Sequence, residues 1–222
     1  MIRQFKMGVR LLRYGFGLKM CVWWCTAFLG LGLLLAVFVP PSFGRGGIYF
    51  VAVNGIWIAQ LIYSLSASNM IQASRWNKPL QTSIPAMLCF AGEAFMYVLM
   101  ILARLPYILS ADLQKRVPAL ADVGMTGLLL FCVMVYVGFA YKFFVAATVL
   151  FFTLFAGSSI VLQIWVNMNE QVLAGTPFWV IVAIGFLAIA AGTLVQYGIA
   201  LLTYRYPISK KAQLRGLQKY MG

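Results

Sequence analysis

Between Val123 and Val166 the chain carries one charge, Lys142, in 44 consecutive residues. As a single helix that run would be about 66 Å long, twice the thickness of a bilayer core. It therefore predicts two spans joined by a turn near Gly138–Lys142. Four further stretches are similarly apolar, giving spans over residues 20–39, 49–67, 84–103, 123–141, 143–166 and 178–202. Composition agrees: 63% of the residues are hydrophobic and 9% charged, where a soluble domain carries roughly a quarter charged. A globule of 222 residues in water has too little interior to hide so much apolar surface. The expected fold class is all-α: a polytopic membrane protein of six transmembrane helices in a single domain over residues 1–222, with an N-terminal amphipathic surface helix over 1–19 and a tail over 204–222. The first stretch is long enough to span and ends without a small-residue cleavage pattern, so it reads as a retained span rather than a signal peptide.

Orientation follows from the basic residues, which favour the cytoplasmic side. Of 17 basic residues, ten lie before Met20 or after Tyr204. Both ends are therefore expected inside, which requires an even number of spans. Arg75, Lys78 and Lys142 then also fall inside, and Arg45, Arg104, Lys115 and Arg116 outside, a ratio of 13 to 4. The Arg104–Asp122 loop strains this scheme, because three of the four outer cations belong to it. The net charge of +13 suits the anionic inner leaflet better than nucleic acid, given its terminal placement. In the leader, Arg3, Lys6, Arg10 and Arg13 form one helical stripe, and Phe5, Val9, Leu12 and Phe16 another, as a helix lying on the membrane requires. The same residues also suit a solvated basic leader.

There are no histidines. That removes histidine acid–base catalysis and most zinc sites. Cys21, Cys25, Cys89 and Cys132 sit in or at the edge of apolar runs and read as small packing residues, so no metal site or catalytic residue is expected. No Gly-rich loop ending in Gly-Lys-Ser/Thr is present, nor a Gly-x-Ser-x-Gly turn. Glu93 is the only acid inside an expected span. A charge there is costly and marks function by default. Asn54, Gln60, Gln163 and Asn167 are polar residues that suit the same interior, and with Glu93 they are the candidates for a translocation path or subunit interface. Gln196 is a further intramembrane amide. Ala188 and Gly192 form a small-residue pair suited to close helix packing.

The one polar stretch of any length on the inner side is Ser66–Pro85. Ser66 or Ser68 can cap a short helix, Arg75, Trp76 and Lys78 suit the membrane interface, and Pro79 and Pro85 punctuate the exit. A short inner helix of this kind would suit a cytoplasmic motor; a plain interfacial loop has the same composition.

The pattern Asn69-Met70-Ile71, Ala73-Ser74-Arg75, Lys78, Leu80-Gln81-Thr82, Pro85, together with the tail Tyr206–Ala212, resembles the permease subunits of type-2 ABC exporters of Gram-positive bacteria. The resemblance implies that Asn69, Ser74, Arg75, Trp76, Lys78 and Gln81 belong to a coupling segment that docks on a separate ABC ATPase subunit. It also implies a second permease copy or paralogue as partner, and a bacterial plasma membrane location with both termini cytoplasmic. ATP and Mg2+ would be held by the ATPase, and this chain would bind no cofactor and would not be an enzyme by itself. Anionic lipids are expected partners of the basic ends. One departure from that family is the short junction between spans five and six, with limited room for the re-entrant hairpin many members carry; Gly157-Ser158-Ser159 is a place where span five could break and supply part of one. The rival readings are a stand-alone secondary transporter or six-span substrate-binding subunit, and a non-transporting immunity or scaffold protein.

Overall fold

The computed structural model describes residues 6, 8–10, 18–41, 45–66, 77–140 and 142–206, with the side chains of 58–66 and of Leu162 outside that description. All regular structure among them is helical. The elements are α1 (Leu18–Phe38), α2 (Gly46–Ser66), α3 (Asn77–Gln81), α4 (Ser83–Ile108), α5 (Leu113–Ala140), α6 (Phe144–Met168), α7 (Glu170–Gly175) and α8 (Phe178–Thr203). Five helices are long and apolar enough to cross a membrane: α1, α3–α4 together, α5, α6 and α8. Most of the surface helix expected over 1–19 lies outside the described residues. Lys6 and residues 8–10 are helical, and Gly8 sits against Ile84 and Leu88 of α4, where an added Cβ would come within 2.7 Å of Ile84 Cγ2.

Local chemistry sets the helix ends. Pro40 and Pro41 follow α1 and prevent its continuation. Asp112 caps α5: its side chain accepts the Gln114 N–H at 3.0 Å and its carbonyl accepts those of Lys115 and Arg116. Pro85 sits in the first turn of α4, where a missing N–H costs nothing. The turn expected near Gly138–Lys142 falls between the end of α5 at Ala140 and the start of α6 at Phe144, with the Lys142 and Phe143 N–H groups both closing on Phe139 O. Gly157–Ser159, where a break was possible, does not interrupt the helix; α6 runs unbroken through it. Both serine hydroxyls instead donate to Phe155 O, at 3.1 and 2.6 Å, a back-bond that keeps the polar groups satisfied within the helix.

Helix α5 is the centre. It packs against α2, α4, α6 and α8, and it is the most buried of the five long apolar helices, whereas α6 and α1 are mostly uncovered. The peripheral helices turn large apolar groups outward, among them Trp23, Phe38, Phe152, Val161, Leu187 and Leu194. Water would penalise each by about 1.5–3 kcal/mol relative to burial, whereas lipid covers them at no such cost, so the bundle is built for a membrane.

Without a hydrophobic drive between helices in lipid, close backbone approach holds them together. The buried stripe of α8 is Ile181, Gly185, Ile189, Gly192, Gln196 and Ala200. Gly127 of α5 meets Gly185 so closely that a Cβ on Gly127 would lie 2.6 Å from Gly185 Cα. Gly192 lies on Met134 and Phe131, and Gly138 on Gln196. Gly192 thus plays the close-packing role expected of it, but Gly185, not the half-buried Ala188, is its companion. A second seam joins α1 and α2, where a Cβ on Gly47 would meet Ala36 N at 3.0 Å and clash with the Gly32 carbonyl.

Candidate functional site

The bundle has two polar ends. At one end, α1, α4 and α6 finish and α2, α5 and α8 begin; at the other lie α3 and the α5–α6 turn. They are called the arginine end and the lysine end.

At the arginine end, α4 continues to Ile108 and α5 begins at Leu113, leaving four residues between them where a long loop was expected. Arg104 and Asp122 therefore sit inside helices, and both are fully buried. They pair at 2.7 Å between Arg104 Nη2 and Asp122 Oδ2. Arg104 Nη1 also donates to Ala36 O at 2.7 Å and Val39 O at 2.9 Å, satisfying carbonyls that the end of α1 leaves open. Arg45, just before α2, brings Nε within 3.3 Å of Asp122 Oδ1, and its Nη1 donates to Gln163 of α6. Asp122 is thus the hub through which α1, α2, α4 and α5 are joined, with α6 tied in through Arg45. Sequence reasoning left these three residues in loops. Their one signal was the surplus of cations that the 104–122 segment placed outside.

Beside this network lies a pocket of about 800 Å³, lined by Pro41, Arg45, Tyr49, Gln114, Gln163, Asn167 and Glu170, among others. Two path candidates, Gln163 and Asn167, are in its wall. Both are exposed, and the Gln163 amide donates to Asn167 Oδ1 at 3.3 Å.

The remaining candidates lie elsewhere. Asn54 of α2 and Glu93 of α4 are buried in the core, at 0% and 1% exposure. The Glu93 carboxyl rests directly over Gly55, and a side chain at that glycine would coincide with it. Neither Glu93 oxygen has a hydrogen-bond partner among the described residues, and Asn54 Oδ1 is equally unpartnered. The side chain of Gln60 is outside the described residues. The path candidates thus separate into a pocket pair and a core pair.

At the lysine end, Asn69, Ser74, Arg75 and Trp76 lie outside the described residues. Lys78 and Gln81 are on α3. Lys78 is exposed, with its ammonium 5.4 Å from the centre of the Tyr204 ring. Gln81 is buried; it donates to Asn77 and accepts from Lys142 Nζ at 2.9 Å. Lys142 also donates to Tyr206 O at 2.6 Å and Tyr204 O at 3.4 Å. Burial of this ammonium lowers its pKa to about 8, since desolvation disfavours the charged form. Lys142 therefore ties α3, the α5–α6 turn and the end of α8 into one platform.

Among the described residues, no three His, Cys, Asp or Glu side chains assemble into a metal-ligand group. No family model, curated protein or solved structure matches this chain.

Proposed function

We propose that the chain is the transmembrane permease subunit of an ATP-driven exporter in a bacterial plasma membrane, moving an amphipathic substrate with the help of a separate ABC ATPase. In this reading α2 is a sixth span, the lysine end and both termini face the cytoplasm, and the arginine end faces out. The observation that carries it is the Lys142 platform. The segment whose sequence resembles a coupling helix ends in α3, and Lys142 bonds Gln81 of α3 to the carbonyls just after α8. A push or pull on residues 69–83 would then reach α4, the α5–α6 turn and α8 together, as alternating access requires. Gln81 serves this internal linkage, leaving Asn69, Ser74, Arg75, Trp76 and the exposed Lys78 to meet the ATPase. A second permease copy or paralogue would complete the path, and anionic lipids would hold the basic ends.

The test is replacement of Arg75 and Trp76 together by Ala. Recovery of the ATPase with the tagged chain in mild detergent should fall, since large aromatic and arginine side chains dominate small interfaces, while the chain still inserts. Unchanged recovery removes the segment from coupling. The orientation is checked separately: Ser110→Cys should label with an impermeant reagent on intact cells, and Ser74→Cys should not.

One observation favours a second reading, a stand-alone transporter. Glu93 is an acid in the core with no hydrogen-bond partner among the described residues, as an ion-coupled carrier needs. That reading predicts transport by the purified chain without ATP.

A further inference from the structure

We propose that the pocket at the arginine end receives the head of a zwitterionic amphiphile, its anionic group against Arg45 and its cationic group against Glu170. The proposal deepens the permease reading by naming the substrate class. Its test needs no ATPase, so the two fail separately.

The first argument is charge. Arg45 and Arg104 share one carboxylate, that of Asp122. Arg104 is fully buried, and its Nη groups are occupied by Asp122 and two α1 carbonyls. Arg45 is different. Its side chain is 14% exposed and it lines the pocket. Its Nε faces Asp122 and its Nη1 meets Gln163 and the Met125 sulfur, which leaves Nη2 without a partner among the described residues. Two cations and one anion leave one positive charge uncompensated in a poorly hydrated place, and such a charge favours an anion within reach.

The second argument is an acid in the same lining. Glu170 lines the same pocket, is exposed, and makes no ion pair or side-chain hydrogen bond among the described residues. A purely anionic ligand would be attracted by Arg45 and repelled by Glu170; a purely cationic one would meet the reverse. A head carrying both charges satisfies both residues. Gln114, Gln163 and Asn167 supply amides, each able to donate or accept, so they serve either group. The volume of about 800 Å³ lies in the usual range for a small-molecule pocket, about 300–1,000 Å³. Leu113, Val117 and Val166 line the same pocket, an apolar surface on which the start of an acyl chain can lie.

A phosphate–ammonium head can come from a membrane lipid or from a free molecule, and the experiment separates them. The full chain is purified in detergent and offered phosphatidylethanolamine, phosphatidylglycerol with the same acyl chains, or soluble phosphoethanolamine. Lipid retention is read by native mass spectrometry and stabilisation by the melting temperature. The wild type should retain phosphatidylethanolamine several-fold over phosphatidylglycerol. Glu170→Gln, at an exposed position that leaves folding intact, should reverse that preference, and Gln163→Ala with Asn167→Ala should weaken retention of both. Stabilisation by phosphoethanolamine as well would identify the head alone as sufficient; stabilisation by the lipid only would identify the bilayer as the source. Equal retention of the two lipids by the wild type, or a preference unchanged in Glu170→Gln, overturns the proposal.

Discussion

Arg104 on α4 and Asp122 on α5 form a 2.7 Å ion pair in which neither side chain is exposed. Removing one partner strands the other. Asp122→Asn should destabilise the folded chain by about 3–5 kcal/mol, and Arg104→Met should do the same. Replacing both together by apolar residues should recover much of that loss, because no charge is then left buried alone. Reversible unfolding in detergent, run as a double-mutant cycle, checks this; additive losses would contradict it.

The contact between α5 and α8 predicts a graded response to glycine substitution. At Gly127 a new Cβ meets backbone at 2.6 Å, so Gly127→Ala forces the helices apart. At Gly124 the nearest atom is the Ile181 side chain at 3.6 Å, an ordinary contact, and at Gly157 nothing lies within 4 Å. Gly127→Ala should cost about 1–3 kcal/mol. Gly124→Ala should be nearly neutral, and Gly157→Ala should gain roughly 0.5–1 kcal/mol from helix propensity. Melting temperatures of the three variants give the order directly.

Lys142 predicts a pH response with a definite sign. Its pKa falls from 10.5 to about 8 in the folded chain. Between those values the unfolded chain holds the proton and the folded chain does not, so the contribution to stability rises with pH across that window. Below pH about 8 the cost of burying the ammonium is fully present. The difference in melting temperature between the wild type and Lys142→Met should therefore shift in favour of the wild type from pH 8 to 10.5. A flat or falling difference would contradict the assignment.

Much of the fold was legible in the sequence, and the exceptions have physical causes. The turn beside Lys142 followed from one charge in a long apolar run, because a bilayer admits only so much helix. The burial of Arg104 and Asp122 was not legible. Rules that place charges at the interface price each residue alone, and here two residues 18 positions apart remove most of that penalty for each other. The glycine seam was only half visible, since sequence spacing marks Gly192 as small but does not say which glycine of α5 will face which glycine of α8. The site divided in the same way. Gln163 and Asn167 were found as polar residues in an apolar helix, while Arg45 and Glu170, which give the pocket its charges, sit at helix ends where charge is unremarkable.

Glu93 offers a test of function apart from stability. Its carboxyl makes no hydrogen bond among the described residues, so Glu93→Gln removes a titratable group without breaking a bond. The variant should melt as the wild type does while export falls, because an ionisable group held in a membrane interior marks function by default. Normal export by Glu93→Gln would leave Glu93 a packing residue.

The central claim is that this chain is a permease driven by a separate ATPase, and reconstitution tests it most directly. The tagged wild-type chain is co-expressed with a candidate ABC ATPase, purified in mild detergent and placed in lipid vesicles, and ATP hydrolysis is measured with and without amphipathic substrates. The account predicts that the ATPase stays with the chain, that substrate raises its turnover, and that replacing Arg75 and Trp76 by Ala abolishes the response. A wild-type chain that retains no ATPase and transports without ATP would contradict it.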